Sequence, residues 1–458
     1  MKSVAFHNLG CKVNSYEIDV MRQYFQEKGY LIVDFAQKAD IYVINTCTVT
    51  NIADRKSRQM IHRAKALNPE AVVVAVGCYV QTHQQEIRKD DTIDLAIGNN
   101  KKGEIVELVE EFMRDRSDKM LSGRTSLDLE SPVSYEEMEQ GRATEHTRVY
   151  LKIQDGCNQF CSYCIIPMAR GRVRSRQKEQ VLHEAEKMVA RGYREIVITG
   201  IHISSYGMDF EGVSYNTAMK EEDYGHSRYL LELLESLSQL EGLERIRLSS
   251  LEPRIVTEEF AGALAGMPAI CPHFHLSLQS GSNSVLKRMN RQYTAQEFRR
   301  SAEILRRYFD RPALTTDIIA GFPGETEEEF NETLLFAESI GFYEMHVFPF
   351  SRRKGTVADR MQGQLTEREK KDRCRRLLAL NEKLGREYRA LFAGEKLPVL
   401  FETEKEVGGR LCLCGHTPNY IEVAAVAEKA QGMAGRIAVC TLGKELGDGL
   451  MEGVMDEG

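Results

Sequence analysis

The sequence predicts an α/β multidomain chain: an N-terminal parallel α/β domain, a partial (β/α)6 barrel and a small C-terminal all-β barrel. Three observations predict it. Up to about residue 116, short β-rich runs alternate with helical patterns, and strands that alternate with helices pair in parallel. From about 146 to 365, six such units follow one another, which suits a partial (β/α) barrel. From about 393 the chain changes to short strands separated by glycines, the pattern of a small closed sheet.

Each element has its own signal. In the first segment, residues 4–7, 41–45, 72–76 and 94–97 are β-rich apolar runs and read as strands. Residues 15–28, 53–67 and 102–114 space their apolar side chains as helices do. Residues 117–145 break the pattern: they are polar, contain Pro132 and the acids Glu136, Glu137 and Glu139, and read as a linker or surface excursion. In the second segment the strands fall at 149–153, 195–199, 245–249, 273–277, 315–319 and 344–348, and helices at 178–191, 229–239, 295–308 and 327–340 separate most of them. A long helical pattern at 366–392 leads to the third segment, with strands at 399–402, 410–414, 420–425 and 437–440. The domains expected are therefore 1–116, a linker at 117–145, then 146–392 and 393–458.

A chain of 458 residues, 42% hydrophobic and 28% charged, is of ordinary globular composition and long enough to bury several cores. Its longest apolar stretch, 71–80, is interrupted by Gly77 and is too short to cross a bilayer. No charged-then-apolar leader opens the chain, so the expectation is a cytoplasmic protein with no membrane partner. The net charge of −7 argues against indiscriminate nucleic-acid binding. Local basic stretches remain: residues 287–311 hold eight Lys or Arg against three acids, and 366–389 hold nine against five. Each reads first as a solvated helix face.

The cysteines carry the chemistry. Residues 157–164 read Cys-Asn-Gln-Phe-Cys-Ser-Tyr-Cys, three thiolates on one short loop with no fourth. Iron–sulfur cubes are normally held by four, so a cube held by three has one iron open to a substrate or cofactor. Zinc wants four ligands, and the nearest histidines, His146 and His183, lie outside the loop. The loop follows the first barrel strand at its carboxyl end, where barrel sites are built. Cys11, Cys47 and Cys78 each lie just past a strand of the first segment, on the edge where open α/β sheets bind ligands. They are either a second three-thiolate set gathered by the fold or three small buried residues at strand-to-helix turns. Cys271, Cys374 and Cys440 read as packing residues, and Cys412 and Cys414 share one face of a strand.

The spacing at 157–164, with Tyr163 before the last cysteine, resembles the radical S-adenosylmethionine (SAM) superfamily. Over essentially the whole chain, the order of the pieces resembles the methylthiotransferase family within it: a cluster domain, a radical SAM barrel and a TRAM RNA-binding barrel. The matches are Leu9-Gly10-Cys11-Lys12-Val13-Asn14, Asn45-Thr46-Cys47, Val76-Gly77-Cys78, Gln154-Asp155-Gly156-Cys157 through Cys164-Ile165-Ile166-Pro167, Ala169-Arg170-Gly171 and Gly321-Phe322-Pro323-Gly324-Glu325-Thr326. A looser one is Gly415-His416-Thr417-Pro418-Asn419-Tyr420. Lys12-Val13-Asn14 resembles the branch that acts on threonylcarbamoyladenosine in tRNA; the isopentenyladenosine branch typically has Gln-Met-Asn there, and the branch that modifies a ribosomal-protein aspartate Pro-Lys-Asn.

That resemblance implies an enzyme that adds a methylthio group to carbon 2 of the modified adenosine at position 37 of tRNA. It implies two [4Fe-4S] clusters, one on Cys157, Cys161 and Cys164 and an auxiliary one on Cys11, Cys47 and Cys78. It further implies two SAM molecules, one methylating a sulfur on the auxiliary cluster, the other cleaved to a 5′-deoxyadenosyl radical. The electron donor is of the flavodoxin or ferredoxin kind. Thr199 and Gly200, which end the second barrel strand, are expected to contact SAM, although the family's usual Gly-Gly-Glu is absent there. Tyr163 is expected near its adenine, and Gln279 and Asp317 toward the same rim, with strand-end hydrogen bonding as the alternative. Arg170, Arg172, Arg174 and Arg176 alternate after the loop and are read as contacts to SAM or tRNA phosphates, Arg176 among the cofactor-binding set; the alternative is surface charge. Gly321 to Thr326 lacks the lysine of a phosphate loop, so Thr326 with Glu329 reads as a helix capping box. The competing functions are the same chemistry on isopentenyladenosine tRNA or a ribosomal protein, and an RNA-binding iron–sulfur sensor without turnover.

Overall fold

A computed structural model describes residues 1–117, 125–127, 134–140, 147–210, 227–426 and 432–455. Its N-terminal sheet is all parallel, in the order β2-β1-β3-β4-β5-β6. The elements are β1 (Ser3–Asn8), α1 (Lys12–Glu27), β2 (Leu31–Val33), β3 (Ile41–Thr46), α2 (Asn51–Leu67), β4 (Val72–Gly77), α3 (Cys78–Thr82), α4 (Gln84–Ile87), β5 (Leu95–Ile97), α5 (Ile105–Ser117) and β6 (Thr125–Leu127). β3 and β4 are buried at every position, because helices cover both faces of a parallel sheet.

β6 lies inside the stretch read as a linker, yet it extends the sheet. Farther along, Met138 is buried and the Glu136 carboxylate accepts the Gly103 N–H at 2.8 Å. Residues 134–140 are therefore packed rather than a surface excursion, because Met138 finds a core, Glu136 accepts from Gly103 and Glu137 pairs with the buried Arg176. The rest of that stretch, with Pro132, lies outside the described residues.

The central domain runs β7 (Val149–Lys152), β8 (Gln154–Asp155), α6 (Ile166–Arg170), β9 (Arg174–Ser175), α7 (Lys178–Ala190), β10 (Glu195–Thr199), α8 (Ser227–Ser238), β11 (Arg245–Leu248), α9 (Glu258–Ala265), β12 (His273–His275), α10 (Asn283–Arg288), α11 (Ala295–Tyr308), β13 (Ala313–Ala320), α12 (Glu327–Ile340), β14 (Glu344–Pro349) and the long α13 (Glu367–Ala390). Six parallel strands form two halves, β11-β10-β7 and β12-β13-β14, joined by the parallel bridges Ile246↔Ile270 and Leu251↔Leu276. Alternation sorts the side chains. Ile196, Ile198, Ile246, Leu248, Phe274 and Leu314 pack outward into the large core beneath the helices. The opposite, inner face carries Glu195, Arg247, His275, Asp317 and His346, a polar lining that suits a ligand rather than a packed core.

The C-terminal strands β15 (Lys396–Val407), β16 (Arg410–His416), β17 (Glu422–Val426), β18 (Ile437–Gly447) and β19 (Leu450–Met455) close into a barrel in the order β15-β16-β17-β19-β18. β19 has no alternation that reveals it. It closes on β17 only because Gly453 lacks a Cβ, which would come 2.4 Å from Val423 Cγ1. The small barrel docks on the large one through arginines: Arg245 donates to the Pro398 carbonyl at 2.8 Å and Arg247 to the Pro418 carbonyl at 2.9 Å. Tyr420 stacks on His273, ring centroids 4.7 Å apart. Among the described residues, no helix is long and apolar enough to cross a membrane.

Candidate active site

Cys11, Cys47 and Cys78 stand at the carboxyl ends of β1, β3 and β4, three adjacent strands. Two glycines make the approach possible. Gly10 adopts φ +115°, and a Cβ there would come 3.2 Å from Cys47 Sγ; Gly77 adopts φ +96°, and a Cβ there would come 2.7 Å from Asn45 Oδ1. Asn14 then ties the loops together, donating to the Leu9 and Thr46 carbonyls at 2.7 and 3.1 Å. Burial pushes the Cys47 thiol up to about 12, and the nearby Cys78 and Cys11 add to the rise. Cys11 is raised for the same first cause, with Arg170 opposing.

Cys157, Cys161 and Cys164 occupy the loop between β8 and α6. Gly156 opens it at φ +71°, where a Cβ would fall 1.8 Å from the Arg172 carbonyl oxygen; glycine alone fits. Cys157 N–H donates to the Gly171 carbonyl at 3.1 Å and Cys164 N–H to that of Cys161 at 2.9 Å. The far side is held by the end of α10 and the residues after it: Ser162 Oγ donates to the Arg288 carbonyl at 2.8 Å, Asn290 Nδ2 to that of Phe160 at 3.1 Å, and Arg291 Nη1 to Cys161 Sγ at 3.1 Å. Burial pushes Cys157 up to about 12 and raises Cys164 as well.

Raised thiols need a cation to be thiolates, and a bound metal deprotonates a coordinating thiol outright. Single-ion ligation does not match the spacing. Among the described residues only His275, Asp317 and His346 bring three donor atoms within 4.8 Å of one another, whereas Zn–S bonds of about 2.3 Å would require such closeness of a cysteine set. Both trios are spread for a larger group. The charge around them agrees. Between the two domains, among the described residues, buried Lys102, Lys152 and Arg170 surround two buried carboxylates, Glu17 and Asp155. Burial alone would raise Glu17, but Arg170, Lys102 and Lys152 outweigh it and hold the carboxyl well below its usual range. The surplus cation lies beside Cys78 and Cys11 and suits an anionic, thiolate-held cluster.

Arg170 joins the two trios. Its guanidinium donates to Asn14 Oδ1 at 2.7 Å, Glu17 Oε1 at 2.8 Å and Asp155 Oδ2 at 3.0 Å. Asn99 makes a second link, donating to the Ala169 carbonyl at 2.7 Å and to Cys78 Sγ at 3.5 Å. Glu17, Lys102, Asn99 and Arg291 carry no motif signal, and Arg291 sits in a basic stretch that reads as solvent-facing.

Other expected residues fall in different places. Arg170 and Arg174 are buried, and Arg174 donates to the Arg170 and Arg172 carbonyls at 2.8 and 2.9 Å. Arg176 is buried and paired with Glu184 and, at 2.7 Å, with Glu137. Three of the four alternating arginines are thus committed to structure: Arg170 ends α6, Arg174 lies in β9 and Arg176 follows it, and each is buried with a protein partner. Arg172 remains exposed, 4.4 Å above the Phe160 ring. Thr199 and Gly200 adjoin the cysteine loop through Gln154, whose Oε1 accepts the His202 N–H at 2.8 Å and would lie 3.0 Å from a Cβ at Gly200. Tyr163 packs edge-on against Phe322. Gln279 adopts φ +69° and bridges β13 through the Asp317 carbonyl and Ile319 N–H, the strand-end role. Asp317 lies mid-strand on the inner face, opposite His346 in register. Thr326 and Glu329 form the capping box, and Cys412 and Cys414 pack with Ala424.

Lys12 follows Cys11 directly and opens α1. Solvent reaches its side chain, yet protein crowds it: burial, then Arg247 and Arg148, lower its pKa to about 8, with Asp317 and Cys11 opposing.

The Radical SAM superfamily profile matches residues 151–337, and a profile described as "Uncharacterized protein family UPF0004" matches residues 3–98. The chain is 42% identical over 438 residues, 95% of its length and 93% of the relative's, to the threonylcarbamoyladenosine tRNA methylthiotransferase MtaB of Bacillus subtilis. It is 38% identical over 436 residues to the protein of that name from Aquifex aeolicus, covering 95% of this chain and 100% of the relative. To the tRNA-2-methylthio-N(6)-dimethylallyladenosine synthase of Pelotomaculum thermopropionicum it is 33% identical over 419 residues, 89% of this chain and 88% of the relative. Its fold resembles the radical S-adenosylmethionine methyltransferase TsrM of Kitasatospora setae, with a TM-score of 0.54 at 18% identity over 78% of this chain and 77% of that one.

Proposed function

Because this chain belongs to the methylthiotransferase family of radical SAM enzymes, we propose that it adds a methylthio group to carbon 2 of threonylcarbamoyladenosine at position 37 of tRNA. The observation that carries this reading is the pair of cysteine trios joined by Arg170 across one domain boundary. Relatives named for that nucleoside match at 42% and 38% identity, against 33% for one named for the dimethylallyl nucleoside.

Cys157, Cys161 and Cys164 would hold one [4Fe-4S] cluster, and Cys11, Cys47 and Cys78 the other. When bound, these groups with two SAM molecules supply a 5′-deoxyadenosyl radical and a methylated sulfur. A radical route is apt, since an aromatic C–H is too weak an acid for base catalysis.

The chain's own residues position and shield. Arg291 donates to Cys161 Sγ, and Gln154 fixes the end of β10 against the cysteine loop. Tyr163 and Phe322 form an apolar wall beside that loop. Arg170 and Asn14 hold the two trios in register. The substrate partner is tRNA, gripped in part by the C-terminal barrel, and reduction comes from a flavodoxin or ferredoxin.

The test is nucleoside mass spectrometry after anaerobically reconstituted protein, SAM and reductant meet tRNA bearing threonylcarbamoyladenosine. A methylthio gain on that nucleoside is the expected result. A gain on isopentenyladenosine alone, or on a ribosomal protein, would overturn the substrate. Absence of 5′-deoxyadenosine would leave an RNA-binding iron–sulfur sensor.

A further inference from the structure

Beside each thiol of the Cys11, Cys47 and Cys78 set stands a contact that crosses to the barrel domain. Asn14, on the helix that begins after Cys11, takes Arg170, and Asn99, beside Cys78 Sγ, takes the Ala169 carbonyl. Both contacts end on α6. The contact beside Cys47 comes from elsewhere. Thr48 follows Cys47, and its Oγ1 accepts from Arg353 Nη2 at 2.8 Å. Arg353 lies between β14 and α13 and is 3% exposed; its Nη1 also meets Asn51 Oδ1 and Asp54 Oδ2, each at 2.7 Å. Thr48 Oγ1 donates to the same Asp54 carboxylate at 2.7 Å, and Asn51 N–H donates to Ser351 Oγ at 3.0 Å.

The same segment holds the other cysteine loop. Thr356 Oγ1 donates to the Arg353 carbonyl at 2.7 Å and closes a turn. Ala358 N–H then donates at 2.7 Å to the carbonyl of Ser162, which lies between Cys161 and Cys164. Phe350 and Ala358 pack with Phe322, beside Tyr163. The two grips on the first domain lie on opposite faces of its sheet. Arg170 meets α1, which packs on the face of Val4 and Phe6, whereas Arg353 meets α2, which packs on the face of Ala5 and Tyr42. Contacts on one short helix leave a domain free to turn about the line that joins them. A contact on the opposite face removes that freedom, and a planar guanidinium fork fixes direction as well as distance.

We propose that Arg353 is a positioning residue: it sets how the Cys11, Cys47 and Cys78 set faces the loop of Cys157, Cys161 and Cys164, and so the share of radicals that end in methylthio transfer. This rests on the radical methylthio transfer proposed above. A radical made at one loop is productive only where the sulfur held at the other reaches the same substrate carbon. A turned domain leaves the adenosyl radical to be quenched to 5′-deoxyadenosine by an electron from the reductant and a proton from water. The ratio of methylthio product to 5′-deoxyadenosine reads this, and unfolded molecules, which make neither, do not change it.

The test compares reconstituted wild type, Arg353→Met, Arg353→Lys and the near-isosteric Thr48→Val, with iron assayed in each. Hydrogen exchange is followed by mass spectrometry over residues 47–58 and over the rest of the chain. Arg353→Met should exchange at least about tenfold faster at 47–58, the lower range for a hydrogen bond to a charged group, with the sheet strands unchanged. Its product ratio should fall about tenfold or more, since a misplacement of about 1 Å costs ~100-fold. Arg353→Lys, which keeps the charge near Asp54 and loses the fork, should fall between it and wild type. An Arg353→Met protein of normal iron content with the wild-type ratio overturns the proposal, and so does exchange that rises equally throughout the chain. If Arg353→Met does not keep its iron, Thr48→Val decides: a lowered ratio supports the proposal and the wild-type ratio overturns it. These failures leave the methylthio transfer standing. A wild type that forms 5′-deoxyadenosine and no methylthio product on any of the substrates overturns that transfer and this proposal together.

Discussion

The Arg170 guanidinium donates to the Asn14 carboxamide at 2.7 Å, so the helix after one cysteine trio grips the helix that begins beside the other. Arg170→Leu removes this contact and leaves Glu17 and Asp155 short of a buried cation. Breaking a buried ion pair from one side costs about 3–5 kcal/mol. Urea unfolding of the variant should show a loss of that order, and a loss below about 1 kcal/mol would contradict the account of the domain boundary.

Gly156→Ala places a methyl group 1.8 Å from the Arg172 carbonyl at a φ of +71°. The backbone must move, and the loop of Cys157, Cys161 and Cys164 moves with it. Reconstituted protein should lose about half its iron, since one of two clusters would be affected. Wild-type iron in this variant would show that the loop tolerates what its geometry forbids.

Arg291→Met removes the donor that lies 3.1 Å from Cys161 Sγ. Hydrogen bonds to cluster sulfur are among the determinants of its potential, and a nearby positive charge favours the reduced state. A contact of ~1.5–3 kcal/mol corresponds to about 60–130 mV for one electron. An EPR redox titration should find the midpoint lower by up to that amount. An unchanged or higher midpoint would remove Arg291 from the site.

Burial would raise Glu195, but Arg247, Arg148 and Arg245 outweigh it and hold the carboxyl at about 2 against its ordinary 4.5. The folded value is depressed, so the stabilisation is present above about pH 4.5 and is lost as pH falls toward 2. At ~1.4 kcal/mol per unit this is about 3 kcal/mol. Glu195→Gln should flatten the stability profile of wild type between pH 4.5 and 2. An equal acid slope in both proteins would show that Glu195 does not carry this term.

The strands with dense β-branched runs, such as Val72–Gly77, were legible because burial on both faces demands an unbroken apolar stretch. Leu31–Val33, Thr125–Leu127 and Leu450–Met455 were not. Two are three residues long, and the third closes its barrel through the missing side chain of Gly453. The alternating arginines were visible as a pattern, but alternation says which residues share a face and not what that face meets. Arg176 met Glu184 and Glu137.

The sequence by itself determined the chemistry-bearing types and their chain spacing: one trio on a single loop, and another just past three strands expected to be parallel. Only the tertiary structure decided which charges surround those thiols. Glu17 meets Lys152 and Arg170, and Arg291 meets Cys161, over separations of more than a hundred residues. Local periodicity records the face that a residue occupies; the partner on that face is set by how the domains pack, and a buried charge is stable only where that packing supplies its opposite.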